Sequence, residues 1–232
     1  VKMILEVIAT NVKDAIDAQK FGANRIELVS GIAEGGLTPS YSTIKNVINN
    51  VTIPVHVMIR PHSRSFTYDQ YDEEVILSDI DICNELGANG IVFGALTKEK
   101  SIDENLLRKV CNHTNGMNFT FHRAIDEAND IIAALHILNQ YPEITHILTS
   151  GGMNSAIDGE EVIKQMNDLT KQSNIKIVAG SGLSIYNVAK FIQQTNVNEV
   201  HFGSGVRKNQ SSIEKIDSYM MEKLIEQLKD HN

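Results

Sequence analysis

Eight short runs rich in apolar and β-branched residues recur along the 232-residue chain, their starts 21 to 35 residues apart. They are Ile4–Ile8, Arg25–Val29, Val55–Arg60, Gly90–Leu96, Asn118–His122, His146–Thr149, Lys176–Ala179 and Glu199–Phe202. Each gap has room for one helix and two loops, and none for a further domain, which is the pattern of repeated parallel βα units. Eight such units closing on themselves predict a single (β/α)8 barrel over residues 1–232, with an open doubly wound sheet as the alternative. Local signals mark the helix ends. Asn11 can cap the first helix, which Gly22 ends, and Thr38 precedes Pro39 as cap before a first-turn proline. Glu85-Leu86-Gly87 closes the helix before the fourth strand, and Ser211 and Glu214 have capping-box spacing before the last helix.

Side chains of a barrel strand alternate between the helix-facing side, which must be apolar, and the interior. With Leu5, Val7, Ile26, Leu28, Val55, Val57, Ile59, Phe119, Phe121, Val200 and Phe202 facing the helices, the interior receives Glu6, Arg25, Glu27, His56, Met58, Arg60, Thr120, His122 and His201. Unpaired buried charge costs several kcal/mol or more, so a set such as Glu6, Glu27, Arg60, His122 and His201 calls for a function or for mutual pairing. Parity brings Glu27 and Arg60 together from adjacent strands, and they are expected to form an ion pair. His56, deep in its strand, reads as structural.

Loops after the strands add chemistry on the same face. Phe121-His122-Arg123-Ala124-Ile125-Asp126 offers a base, a cation and a carboxylate within five positions, the blander reading of Arg123 and Asp126 being a loop salt bridge. Glycine-rich turns follow strands six, seven and eight: Ser150-Gly151-Gly152, Gly180-Ser181-Gly182 and Gly203-Ser204-Gly205. Glycines let backbone amides approach a ligand, and barrels often seat phosphate in the loops after strands seven and eight, so Ser150, Gly180, Ser181, Gly182, Gly203, Ser204 and Gly205 are candidates for an anion seat. Alanine at 182 and 205 is expected to block such a ligand and leave a folded barrel.

A formal charge of −8 disfavours a broad grip on nucleic acid or anionic membrane. Two cysteines, Cys83 and Cys111, both in helical patterns, argue against a disulfide scaffold. No apolar run approaches the ~18 residues of a membrane span, and the opening residues lack a signal-peptide core, so a cytoplasmic location is expected. A homodimer is the expected assembly because two-fold pairs are the commonest oligomers.

The chain resembles the CutC copper-homeostasis family almost end to end, through Leu5-Glu6-Val7, Arg25-Ile26-Glu27-Leu28, Glu34-Gly35-Gly36-Leu37-Thr38-Pro39-Ser40 and Ile53-Pro54-Val55-His56. Ile59-Arg60-Pro61, Thr120-Phe121-His122-Arg123-Ala124, Leu148-Thr149-Ser150-Gly151 and Glu199-Val200-His201 extend the match. The resemblance implies a cytoplasmic TIM barrel engaged in copper tolerance and copper binding. Members often carry cysteines just after strand one, at the end of strand two and after strand three, where this chain has Ile8 and Ala9, Val29, and Thr67. Thiolates suit Cu(I), so their absence predicts weak direct copper binding. Two functions stay open: copper binding or handling, and a metal-independent enzyme acting on a small anionic or phosphorylated metabolite. In the second, His122 or Glu27 is the acid or base and Arg60 and Arg123 hold the anion.

Overall fold

A computed structural model describes residues 2–229 of the chain. All eight expected runs form strands: β1 (Ile4–Ala9), β2 (Arg25–Leu28), β3 (Val55–Met58), β4 (Gly90–Phe93), β5 (Asn118–Phe121), β6 (Ile144–Thr149), β7 (Lys176–Gly180) and β8 (Glu199–Phe202). Each pairs in parallel with the next, and β8 pairs with β1, which closes the barrel. Between them run α1 (Val12–Lys20), α2 (Tyr41–Asn50), α3 (Gln70–Glu85), α4 (Glu104–His113), α5 (Ile131–Leu138), α6 (Glu160–Leu169) and α7 (Val188–Thr195), with α8 (Ser218–Lys229) last. One apolar cluster joins the helix-facing residues Leu5, Ile26, Val57, Phe119 and Phe202 to helix residues such as Ala15, Ile76 and Leu224. Full burial of each large side chain contributes roughly 1.5–3 kcal/mol.

Register confirms the parity. Glu6 stands opposite both Arg25 and His201, Glu27 opposite His56, and Thr120 opposite His146. Residues opposite in register share a face, and all of these are buried in the interior.

Several boundaries differ from expectation, each for a local reason. β3 stops at Met58, and Arg60 lies on the rim, where its N–H donates to Thr38 Oγ1 (2.8 Å) and its carbonyl accepts from Thr38 N (3.0 Å). Thr38 is thereby committed to this clamp, and Ser40 caps α2 by accepting from Thr43 N. β5 ends one residue before His122, which begins a 3-10 turn over Arg123–Glu127. Ser211 and Glu214 close a backbone turn well before α8, whose first turn is held by Asp217 accepting from Met220 N (3.0 Å). Asn11 and Gly87 behave as expected: Asn11 accepts from Asp14 N (2.9 Å), and Gly87 follows α3 with φ +79°.

Candidate functional site

A cavity of about 260 Å³ lies at the carboxyl ends of the strands. Glu27, Arg60, His122, Arg123 and His201 line it, together with the turns Ser181–Leu183 and Gly203–Gly205 and the apolar Ile8, Met58, Phe66 and Leu148. Glu6, Asp126, Ser150 and Gly180 do not line it.

Below the cavity an ionic chain crosses the interior. Arg25 Nε donates to Glu6 Oε2, and Arg25 Nη2 donates to Glu199 Oε2 at 2.7 Å. Arg25 Nη1 lies 3.2 Å from His146 Nε2. Glu6 Oε1 in turn bonds His201 Nδ1 at 2.7 Å. Burial alone would raise the Glu6 carboxyl, but the Arg25 charge and the His201 bond hold it well below its ordinary range. Glu199 is also lowered: burial opposes this, and His146 and Arg25 outweigh it. His146 and Glu199 were not among the sequence candidates. The parity rule that found His201 would have found both, since each lies an odd number of residues from a helix-facing neighbour, Ile147 or Val200.

Glu27 is different. It is 2% exposed, its Oε2 is 3.9 Å from His201 Nε2, and its Oε1 has no protein partner. Burial, aided by the nearby Glu6 charge, pushes its carboxyl from an ordinary 4.5 up to about 7 against the pull of His201 and Arg25. His201 is raised as well, because Glu27 and Glu6 outweigh the burial that opposes its charge. The folded chain therefore binds the Glu27 proton more tightly than the unfolded chain. The stability this gives is full below pH 4.5 and is lost as the pH climbs through about 7. Glu27→Gln, fixed in the neutral form, is expected to match wild type in urea denaturation at pH 5 and to exceed it at pH 8 by about 1–3 kcal/mol. Equal stabilities at pH 8 would show that Glu27 ionises without cost.

The expected pairing of Glu27 with Arg60 is not formed. Arg60 Nη1 donates to the carbonyls of Glu34 (3.1 Å) and Gly36 (3.3 Å), Nη2 donates to that of Ser63 (3.5 Å), and the guanidinium lies 4.7 Å from the Phe66 ring centre. Because β3 ends early, Arg60 is bound by rim carbonyls, and its Nε is left without a partner. His122 Nδ1 accepts from Ala124 N (3.1 Å), so Nε2 carries the proton, and Nε2 is buried without a protein partner. Burial, with Arg60 close by, lowers His122 to about 3 and keeps it neutral.

Arg123 and Asp126 form an ion pair at 2.9 Å, and Asp126 also accepts from Thr149 Oγ1, Ser150 N, Ser150 Oγ and Gly152 N. Asp126 thus fastens the turn after β6, and Arg123, further tied to Ser150 Oγ at 2.8 Å, is held at the cavity edge. Among the described residues, the amides of Ser181, Gly182 and Leu183 donate to no protein acceptor. The glycines themselves have another cause. A Cβ on Gly182 would meet Ser155 Cβ at 2.7 Å, one on Gly205 would meet the Leu183 carbonyl oxygen at 2.6 Å, and one on Gly180 would meet Leu148 at 2.9 Å. Alanine at 182 or 205 would collide with the neighbouring turn, contrary to the expectation that such variants leave the barrel intact.

Copper(I) does not fit the donors present. Cys83 and Cys111 are buried in the apolar cluster on α3 and α4, and burial pushes each thiol up to about 12, so neither supplies a thiolate. The sulfur that reaches the cavity is the Met58 thioether. Glu6, Glu27 and His201 each bring one ligand atom within 4.8 Å of the others. Glu6 and His201 Nδ1 are already bonded to each other, and Glu6 to Arg25, leaving two free donors near a guanidinium.

A closed parallel (β/α)8 barrel with a buried acid, two imidazoles and guanidinium groups around a strand-end cavity is the class of protein defined here. The chain belongs to the CutC family, whose pattern matches residues 3–206. It is 37% identical to the copper homeostasis protein cutC homolog of Mus musculus over 216 residues, covering 90% of this chain and 79% of that protein. A CutC family protein of Pasteurella multocida is 39% identical over 207 residues, 88% of this chain and 84% of that one. The crystal structure of CutC from Streptococcus agalactiae matches with a TM-score of 0.80 at 30% identity, over 86% of this chain and 97% of that chain. Phosphoribosyl anthranilate isomerase from Thermotoga maritima, at 15% identity and a TM-score of 0.66 over 98% of this chain and 99% of that one, shares the fold. Among the described residues no helix is long and apolar enough to cross a membrane.

Proposed function

We propose that this chain takes part in copper homeostasis in the cytoplasm, and that it works through a small anionic ligand held in the strand-end cavity, not as a thiolate store of the metal. The first part follows the name of its mouse relative. Two free buried cysteines agree with a reducing compartment. One observation carries the second part: Glu27 Oε1 and His122 Nε2 belong to residues lining the cavity, are buried, and have no protein partner. Such groups are costly unless a ligand or water satisfies them. Arg123 and the unengaged amides of Ser181–Leu183 supply the positive side of the same space.

Two measurements test this. A Cu(I) chelator is expected to strip the metal equally from wild type and from Cys83→Ser/Cys111→Ser. In a copper-sensitive strain lacking this protein, the double variant should restore tolerance and Glu27→Gln should not. Tight stoichiometric copper that disappears in the double variant would make the cysteines the working site and sink the reading. Phosphate should also raise the wild-type melting temperature more than chloride does at equal ionic strength, and equal effects would remove the anion.

A further inference from the structure

We propose that the cavity is a proton-transfer site, in which the Glu27 carboxylate removes a proton from the carbon beside a carbonyl of a small phosphorylated ligand while the neutral His122 imidazole holds the carbonyl oxygen. This rests on the small-anion reading and adds a reaction to it. Glu27 lies on β2 and His122 directly after β5, and both line one cavity. Glu27 Oε1 is buried without a protein partner, and so is His122 Nε2, which carries the proton because Nδ1 accepts from Ala124 N. A carboxylate base with a neutral hydrogen-bond donor is the pairing that enolisation needs: the base takes the proton, and the donor stabilises the oxygen on which charge develops.

The step balances without an oxidant or reductant. The C–H electron pair becomes the C=C bond of an enolate, the carbonyl pair moves onto oxygen, and Glu27 carries the proton. Its return to the same carbon restores the ligand; where that carbon also carries a hydroxyl, as in an α-hydroxy ketone, delivery to the former carbonyl carbon with transfer of the hydroxyl proton to the enolate oxygen gives the isomer. His201 is a positioning residue. Its Nδ1 bond to Glu6 fixes the ring, and its Nε2, 3.9 Å from Glu27, favours the ionised base. The charged or titratable groups around Glu27 are His201, Arg25 and Glu6, with His56 opposite it in register. The cations favour the carboxylate, Glu6 opposes it, and His56, lowered to about 3 by burial, is neutral.

The probes are dihydroxyacetone phosphate and ribulose 5-phosphate, incubated in D2O with the full chain and followed by proton NMR. Wild type is expected to exchange the hydrogen beside the carbonyl of at least one probe on the order of 100-fold faster than buffer, the lower range of general-base catalysis. Glu27→Gln should fall to the buffer rate, with Glu27→Asp retaining part of the activity and circular dichroism confirming a folded barrel for each. His122→Gln should slow exchange about 10-fold or more. His201→Gln should move the onset of exchange to higher pH, because the cation favouring ionised Glu27 is gone. Cys83→Ser/Cys111→Ser should exchange like wild type. Exchange that survives Glu27→Gln would overturn the assignment. With no protein-dependent exchange of either probe, the proposal falls: a preserved phosphate shift leaves the anion reading standing, and its absence removes both.

Discussion

Arg25→Ala should lower the stability of the barrel by about 3–5 kcal/mol, the range for removing one partner from a buried ion pair. Arg25 is 6% exposed and joins the carboxylates of Glu6 and Glu199, so its loss leaves two buried acids without their cation. In wild type both carboxyls are held below their ordinary range, so they contribute stability above that range and lose it in acid. The deficit of Arg25→Ala is therefore expected to be largest near pH 8 and to shrink towards pH 4, where the variant can protonate both groups. Urea denaturation at the two pH values checks this. Adding Glu6→Gln and Glu199→Gln should recover part of the loss at pH 8, since no buried charge is then left alone. A variant as stable as wild type at pH 8 would show that water, not Arg25, satisfies these acids.

Gly159→Ala should cost about 3 kcal/mol, although alanine is the better helix former and Gly159 directly precedes α6. Its φ is an ordinary −96°, so backbone conformation is not the reason for glycine. The added Cβ would lie 2.0 Å from the Ser150 carbonyl oxygen and 2.9 Å from Gly151 Cα, both backbone atoms of the turn that Asp126 fastens. Gly87 provides the contrast: its φ is +79° and nothing lies within 4 Å of an added Cβ. Gly87→Ala should cost only about 1 kcal/mol, and Gly87→Asn less. Thermal melts of the three variants separate the two causes, and similar losses at 159 and 87 would refute the steric account.

The part of this site that was legible in the sequence depends on short-range periodicity. Glu6, Glu27 and His201 could be sent inward because a strand repeats every two residues and Val7, Ile26, Leu28, Val200 and Phe202 fix its phase. Arg60 is buried and lines the cavity as the same rule has it, but its partners could not be read that way. β3 ends at Met58, and what ends it is Thr38, 22 residues earlier, gripping the Arg60 backbone. Gly182 and Gly205 looked like ligand space, yet Ser155 and the Leu183 carbonyl fill what their side chains would occupy. Those neighbours lie 27 and 22 residues away, and no local pattern announces them. The caps of α2 and α8 were misplaced by a few residues for a similar reason: Thr38 and Ser211 have capping chemistry but are engaged elsewhere, and Ser40 and Asp217 hold those helix starts.

The run Glu199–Arg25–Glu6–His201 ends beside Glu27, so the lower layer of the barrel is wired to the cavity. In most barrels the layer away from the strand ends can be repacked for stability with little regard to chemistry. Here a substitution at Glu199, which does not line the cavity, would take away one of the two carboxylates that hold Arg25, and Arg25 and Glu6 both bear on the acidity of Glu27. Transplanting the strand-end loops onto another eight-stranded scaffold would therefore leave the acid–base character of this site behind, unless Glu27 and His201 on their strands and the buried Glu6, Arg25 and Glu199 were moved as well.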